Sequence, residues 1–155
     1  MTPRLSRRDY EANKGEKNRR AMKRLVERGP PPGLLAYEDG EPVAWIAIAP
    51  RAQYRLLATS RVLAPVDDRP VWSIACLYLR KDVRRQGLST KLIRAAADFA
   101  HRHGANLVEG YPQIPKKAAM PAVFAWTGFA SSFEKAGFTE VARRSPTRPI
   151  LRRSV

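Results

Sequence analysis

The order of apolar and polar positions divides the chain into segments of different period. Residues 16 to 28 place Ala21, Met22, Leu25 and Val26 at helical spacing among charges, and Gly29 with Pro30 to Pro32 stops them, so a short basic helix is predicted. Residues 33 to 38 and 42 to 49 are strand-like apolar runs separated by Asp39-Gly40-Glu41, a tight-turn signal that makes them an antiparallel hairpin. Residues 51 to 70 scatter Leu56, Leu57, Val62 and Leu63 among polar residues, which predicts a short helix and then irregular chain around Asp67-Asp68-Arg69-Pro70. From Val71 to Leu79 nearly every position is apolar, the pattern of a central strand covered on both faces. Arg80-Lys81-Asp82 breaks it.

Beyond Gly87 a helical period returns. Leu88, Leu92, Ala95, Ala96 and Phe99 mark one face, Lys91, Arg94, Asp98 and Arg102 the other, and His103-Gly104 ends the helix. Asn106 to Gly110 is a further short strand, so residues 71 to 110 form a strand, turn, helix and strand whose two strands are expected to run parallel through a right-handed crossover. Residues 111 to 126 hold three prolines and no period, and an uncovered connection of that length in a small domain reads as a substrate loop. Thr127 to Ala136 reads as a second helix ended by Gly137, and strands at Phe138 to Ala142 and Ile150 to Leu151 flank a turn at Ser145-Pro146-Thr147. The expected architecture is a mixed α/β domain with one parallel junction at its centre.

Composition narrows the function classes. With 155 residues, 44% of them apolar, the chain can bury one core and is too short for two ordinary domains. No apolar run is long enough to span a membrane and the charged first residues lack a secretory signal, so a cytoplasmic protein without a membrane partner is expected. One cysteine, Cys76, and no metal-ligand spacing argue against disulfide and metal chemistry. The net charge of +15 is extreme: residues 1 to 30 carry ten Lys or Arg against four acids, and nothing acidic follows Glu140. Such a field attracts nucleic acid, phosphorylated cofactors or anionic surfaces alike. No zinc spacing, aromatic ribonucleoprotein strand or helix-turn-helix pattern gives a nucleic-acid partner a reading element. A homodimer is compatible with the sequence, which carries nothing that fixes an oligomeric state.

Chemistry concentrates where the central strand ends. Val83 leads into Arg84-Arg85-Gln86-Gly87-Leu88-Ser89-Thr90, which opens the helix. Amides at a helix start lack intrahelical partners and, with the positive end of the dipole, bind an anion such as phosphate. Gly87 permits close backbone approach, Ser89 and Thr90 offer hydroxyl donors, and Arg84 or Arg85 supplies long-range attraction. The segment resembles the acetyl-CoA motif of the GNAT superfamily of N-acetyltransferases, written Arg or Gln, two residues, Gly, one residue, then Gly or Ala. Arg84, Gly87 and Ser89 stand at these positions, Ser89 being a mild departure. Phe133-Glu134-Lys135-Ala136-Gly137-Phe138 is similar to the superfamily's Tyr-Glu-Lys-x-Gly-Phe. The resemblance covers residues 33 to 143, flanked by a basic helical segment at 1 to 32 and a basic strand or tail at 144 to 155, in one domain of residues 1 to 155.

This resemblance implies a GNAT-like fold, antiparallel strands followed by the parallel unit with a splayed central crevice, and transfer of an acetyl group from acetyl-CoA to a primary amine by direct attack in a ternary complex. It implies that the backbone of Leu77, Tyr78 and Leu79 holds the pantetheine arm as an added strand, that residues 84 to 90 hold the pyrophosphate, and that Phe133 borders the cofactor. Many members place a tyrosine, the thiolate acid, where Phe133 stands. With that hydroxyl missing, Tyr111, Ser131 or Ser132 become candidates for the acid. The strand at 71 to 79 has no glutamate, and Glu109, at the end of the neighbouring strand, is the candidate base, because partial burial there raises a carboxyl pKa. Two other readings remain open, a CoA-binding relative without catalysis and a nucleic-acid-binding protein. Cys76, in alternation with Ile74 and Tyr78, reads as core. His101 and His103 read as helix-end residues, and Trp126 and Phe124 as core or as the lining of an acceptor pocket.

Overall fold

In the computed structural model, residues 2–115 and 126–155 are described. Phe124 and most of the proline-containing connection lie outside them. A 3-10 turn at Thr2–Arg4 leads into α1 (Arg7–Ala12) and α2 (Glu16–Arg28). The first was not evident from periodicity, since a helix of six residues shows less than two turns. Ser6 caps it, its hydroxyl accepting from the Asp9 amide.

β1 (Gly33–Glu38) and β2 (Glu41–Pro50) form the expected hairpin. The connecting residues Asp39 and Gly40 have φ of 50° and 80°, as a two-residue turn matched to strand twist requires. A second 3-10 turn at Arg51–Gln53 and the four-residue α3 (Arg55–Ala58) precede β3 (Trp72–Leu79). After α4 (Leu88–Arg102) come β4 (Leu107–Gly110), α5 (Ala130–Lys135), β5 (Thr139–Arg143) and β6 (Pro149–Ser154). The strands make one mixed six-stranded sheet in the order β1-β2-β3-β4-β6-β5.

The core lies on both faces of this sheet. On one face α4 buries Leu92, Ile93, Ala96, Phe99 and Ala100 against Ile46, Ile48, Ile74, Val108 and Leu151, and α5 and the residue that caps its end add Phe133 and Ala136. Ala95, expected on the buried stripe, is exposed. On the other face a smaller cluster joins Ala49, Tyr54, Leu57, Ala75, Tyr111 and Ile150.

β3 changes parity partway along. Ala47 of β2 pairs with Cys76 and Ile48 with Ile74, so Ala75 is an extra residue on β3, a bulge. Trp72 and Ile74 before it, and Leu77 and Leu79 after it, all face the α4 core. Cys76 therefore does not share a face with Ile74, as strict alternation predicts. It lies on the opposite face, half-buried.

β3 runs parallel to β4 over three rungs only: Trp72 with Val108, Ser73 with Glu109 and Ile74 with Gly110. Beyond Ile74 the strands part, and the gap is filled at its base by α5. A Cβ on Gly110 would come within 2.1 Å of the Phe133 ring, so the aromatic ring sits directly on the bare backbone at the fork. α5 is shorter than the expected 127 to 136 because Trp126 and Thr127 form a turn, Gly128 is left-handed at φ 77° and Phe129, in extended conformation, caps the helix. The Leu77 amide donates to the Trp126 carbonyl (2.7 Å), and Gln113 bonds to both Gly128 and Ala130 (2.9 and 3.1 Å).

Gly110→Ala should therefore destabilise the protein by about 1–3 kcal/mol, the usual cost of overpacking, because the contact is with a ring held on all sides. Denaturant unfolding measures this, and a loss below about 0.5 kcal/mol would show that the ring can retreat.

Candidate functional site

α4 begins with the turn expected to bind phosphate. Lys81–Val83 forms a short 3-10 turn after β3, and Gly87 caps α4 in the left-handed region at φ 78°. Arg85 is left-handed as well, at φ 64°. A non-glycine residue held there is strained, and such strain is found where backbone amides are aimed at a ligand. Among the described residues, the backbone amides of Arg84 to Ser89 make no hydrogen bond of ordinary geometry, while Thr90 and Lys91 already donate to the Gly87 carbonyl. A Cβ on Gly87 would meet nothing within 4 Å. The turn is thus an exposed row of unpaired donors at the positive end of a 15-residue helix. Ser89 Oγ lies 3.0 Å from Ser132 Oγ, which ties the start of α4 to α5.

Leu77 and Leu79 turn backbone groups away from β2, toward the fork. Both are engaged: Leu77 by the Trp126 carbonyl, Leu79 by Arg84, whose Nε donates to its carbonyl at 3.0 Å. Tyr78 sits opposite Trp45 in the β2 ladder, with an exposed side chain. Phe133, expected to border the cofactor, is fully buried and packs edge-on against Phe138, with ring centroids 5.3 Å apart. Ser132 is half-buried beside the turn and Ser131 is exposed. His103 stacks on Phe99 and bonds its carbonyl at the end of α4, while His101 is exposed.

Glu109 and Tyr111 belong to a buried network behind the fork. The Tyr111 hydroxyl lies 2.7 Å from Ser73 Oγ, donates to Glu109 Oε1 (3.1 Å) and accepts from Arg51 Nη1 (2.7 Å). Arg152 Nε donates to Glu109 Oε2 at 3.0 Å, and its two terminal nitrogens clamp Asp67. Glu109 is 1% and Tyr111 0% exposed. Both carboxylate oxygens are occupied, so Glu109 is fully rather than partly buried and is held as an ion-pair partner. Sequence reasoning missed Arg51, Asp67 and Arg152. Their only signal was an abundance of arginine, which does not say which arginines turn inward.

Burial pushes the Tyr111 phenol well above the ordinary tyrosine range, with the Glu109 charge adding to the effect and Arg51 opposing it. Burial does the same to Tyr54, and Arg4 opposes it. Hydrogen bonds from Arg152 and Arg69 hold the Asp67 carboxyl well below the ordinary carboxylate range.

Beside the fork, on the face away from α4, lies a cavity of about 340 Å³ walled by Trp45, Tyr54, Trp126, Met22 and Cys76, with Arg4 at its rim. Burial raises the Cys76 thiol pKa, so Cys76 is a poor nucleophile at neutral pH. Among the described residues, no group of three or more His, Cys, Asp or Glu side chains is placed to hold a metal ion, and no helix is long and apolar enough to cross a membrane.

A six-stranded mixed sheet with a forked parallel pair and an anion-suited turn at the start of the helix joining that pair is an architecture that comparison with known proteins also finds in acetyltransferases. A model of the acetyltransferase (GNAT) family matches residues 2–122. The chain belongs to that family, and acetyl transfer is the class of reaction that membership assigns. Similar solved structures include the NatC complex bound to Gag peptide and CoA (15% identity, TM-score 0.57, covering 88% of this chain and 79% of that one). Others are a ribosomal-protein-alanine N-acetyltransferase from Brucella melitensis (12%, 0.56, 90% and 78%) and the aminoglycoside acetyltransferase AAC(6')-Ib in complex with coenzyme A and kanamycin (18%, 0.56, 89% and 74%). At these identities the likeness is one of fold. No curated protein sequence matches the chain.

The pKa shifts set the pH range of stability. Tyr54 and Tyr111 have folded pKa values above the unfolded value of about 10, so their contribution is complete below pH ~10 and lost as pH rises beyond it. Asp67 is the reverse: its contribution is present above about pH 4 and is lost as pH falls below that value. Phenolate absorbance during alkaline titration should show two of the five tyrosines ionising only with unfolding. Five tyrosines titrating together in the folded protein would contradict the buried network.

Proposed function

We propose that the chain transfers an acetyl group from acetyl-CoA to a primary amine, which attacks the thioester carbonyl directly while both substrates are bound. The observation that carries this reading is the row of unpaired amides from Arg84 to Ser89 with two left-handed residues in it. That row suits a pyrophosphate, whose oxygens accept several hydrogen bonds at once, and Arg84, Arg85, Gln86, Gly87, Leu88, Ser89 and Thr90 are assigned to it. The fork between β3 and β4 suits a pantetheine arm. Its amides are acceptor-hungry groups of the kind that an extended ligand completes, and the arm would take the Leu77 amide in exchange for the Trp126 carbonyl and pair with Leu79 beyond it. Tyr78 contributes its place in the strand, and Phe133 supports the fork from beneath. The protein of the proposal needs no metal, and its other partner is the amine.

Bond making is between the amine nitrogen and the acetyl carbon, the carbon–sulfur bond breaks, and the nitrogen's proton is lost as the CoA thiolate is protonated. Orientation of the two substrates accounts for much of the rate in such a reaction. Glu109 and Tyr111 enter the proposal as positioning residues: Tyr111 gives its proton to Glu109, both carboxylate oxygens are engaged, and together they brace the middle of the three rungs that join β3 to β4, where Ser73 lies opposite Glu109.

Calorimetry with acetyl-CoA tests the cofactor site. Binding in the micromolar range is expected, and Gly87→Glu, which adds both left-handed strain and negative charge, should weaken it at least tenfold with the circular dichroism of the fold retained. Unchanged affinity in that variant would remove the pyrophosphate assignment. Glu109→Gln should cost about 3–5 kcal/mol of stability, because it leaves buried guanidinium charge without its partner. If Glu109 and Tyr111 only position, Glu109→Gln and Tyr111→Phe should lower kcat while the pH midpoint of kcat/KM stays where it was. Loss of the acid or alkaline limb of that profile would restore one of them as base or acid.

A further inference from the structure

The cavity on the face of the sheet away from α4 selects by apolar shape. Ala47 of β2 and Cys76 of β3, opposite each other in the ladder, bound it on the sheet side, and Trp45, Tyr54, Met22 and Trp126 wall it. Among the described residues lining it the only charged side chain is Arg4, and none is acidic. The polar groups nearest to it are spent within the fold. The Tyr54 hydroxyl and Arg4 Nη2 have no surface open to solvent and lie against each other as a hydrogen-bonded pair, and Arg4 Nη1 bonds Gln53 Oε1. What a ligand meets is aromatic ring, methionine and small side chain.

The walls are fixed, and they continue outward. A Cβ on Gly33 would come within 2.7 Å of the Trp45 ring, so the indole is seated on bare backbone. Leu35 of β1 and Tyr78 of β3 stand opposite Trp45 in register, which puts all three on one face of the sheet. Leu35 is 50% and Tyr78 57% exposed. Single exposed apolar residues are ordinary, whereas contiguous ones mark a contact surface. The cavity also touches the fork through its own lining. Trp126, 42% exposed, gives its carbonyl to the Leu77 amide at 2.7 Å, and Cys76 directly precedes Leu77.

We infer that the acceptor is a primary monoamine carried on an aromatic body, its ring between Trp45, Tyr54 and Trp126 and its amine turned to the fork beside Leu77. The inference rests on the acetyl-transfer reading for its chemistry, and on the cavity alone for its recognition. Aromatic walls take a ring edge-on or offset, and a volume of about 340 Å³, near the lower end of the ~300–1,000 Å³ typical of ligand pockets, holds one ring system. A polyamine would bring further ammonium groups to a wall with no carboxylate to receive them, at the full cost of desolvation. An amine placed between apolar walls loses its proton more readily than in water. The nucleophile is then neutral without a dedicated base, in keeping with a Glu109 carboxylate whose two oxygens are engaged elsewhere.

Thiol release from acetyl-CoA would be compared for phenethylamine, phenylalanine, ethylamine and spermidine. Phenethylamine should exceed ethylamine in kcat/KM by about 10- to 150-fold, the factor for burying one phenyl group. Phenylalanine should gain nothing over phenethylamine from its carboxylate, and spermidine should fall below it. Trp45→Ala should bring the ratio of phenethylamine to ethylamine close to one. Met22→Glu, on α2 and outside the sheet, should lower the same ratio and raise the rate with spermidine. Acetyl-CoA binding by calorimetry confirms that each variant is folded. Ethylamine, spermidine or phenylalanine preferred to phenethylamine, or a ratio that neither variant lowers, would overturn the assignment and leave acetyl transfer in place. If no amine releases thiol, phenethyl alcohol, which lacks the amine, decides through the fluorescence of Trp45 and Trp126. Binding that Met22→Glu weakens keeps the aromatic cavity and ends the acetyl-transfer reading, whereas no binding ends both.

Discussion

β3 and β4 share three rungs and then separate, and most of what makes the molecule usable follows from that separation. Parallel strands joined by a helix would ordinarily pair along their common length. Here β4 ends at Gly110, and the Phe133 ring occupies the space that a side chain at that position would need. α5 can approach so closely only because there is no Cβ in the way. The backbone of β3 beyond Ile74 is then left with polar groups pointing into a gap. Buried amides do not stay unpaired, and the chain satisfies one of them with the carbonyl of Trp126 and the Leu79 carbonyl with Arg84. These are single, replaceable contacts rather than a strand ladder, which is the condition an inserted ligand requires.

The bulge at Ala75 gives the fork two distinct sides. Before it and after it, the large apolar side chains of β3 face α4, where they hold the helix whose first turn carries the unpaired amides. The extra residue turns Cys76 to the other face, against Tyr54 and the aromatic cavity. Without a bulge, Cys76 would point at α4 and Leu77 away from it. One inserted residue thus sets a phosphate-suited turn and an apolar cavity on opposite sides of the same strand.

Periodicity showed the hairpin, the central strand, α4 and the parallel unit because each is long enough to express its period, whereas the turn at residues 84 to 90 stood out through its resemblance to the acetyl-CoA motif rather than through any period. Ala75 as a bulge was not legible, since small apolar residues in an apolar run look the same whether or not they pair. Nor was the shortening of α5, which depends on Trp126 finding an amide 49 residues earlier in the chain. The inward arginines escaped notice for a related reason. Arg51 and Arg152 are buried by the acids that they meet, Glu109 and Asp67, and that meeting is a property of the sheet's register, in which Glu109 lies opposite Arg152. Arg4, far from any motif, acquires significance only from lying over Tyr54.

The charge of +15 can now be divided by location. Arg51 and Arg152 spend theirs on Glu109 and Asp67 inside the fold, and a buried pair of this kind specifies an arrangement more than it adds stability. The surplus is exposed on α1, α2, the start of α4 and β5. An excess of this sign, open to solvent, acts at a distance: it raises the local concentration of phosphorylated ligands and lowers that of polyamines before any contact is made.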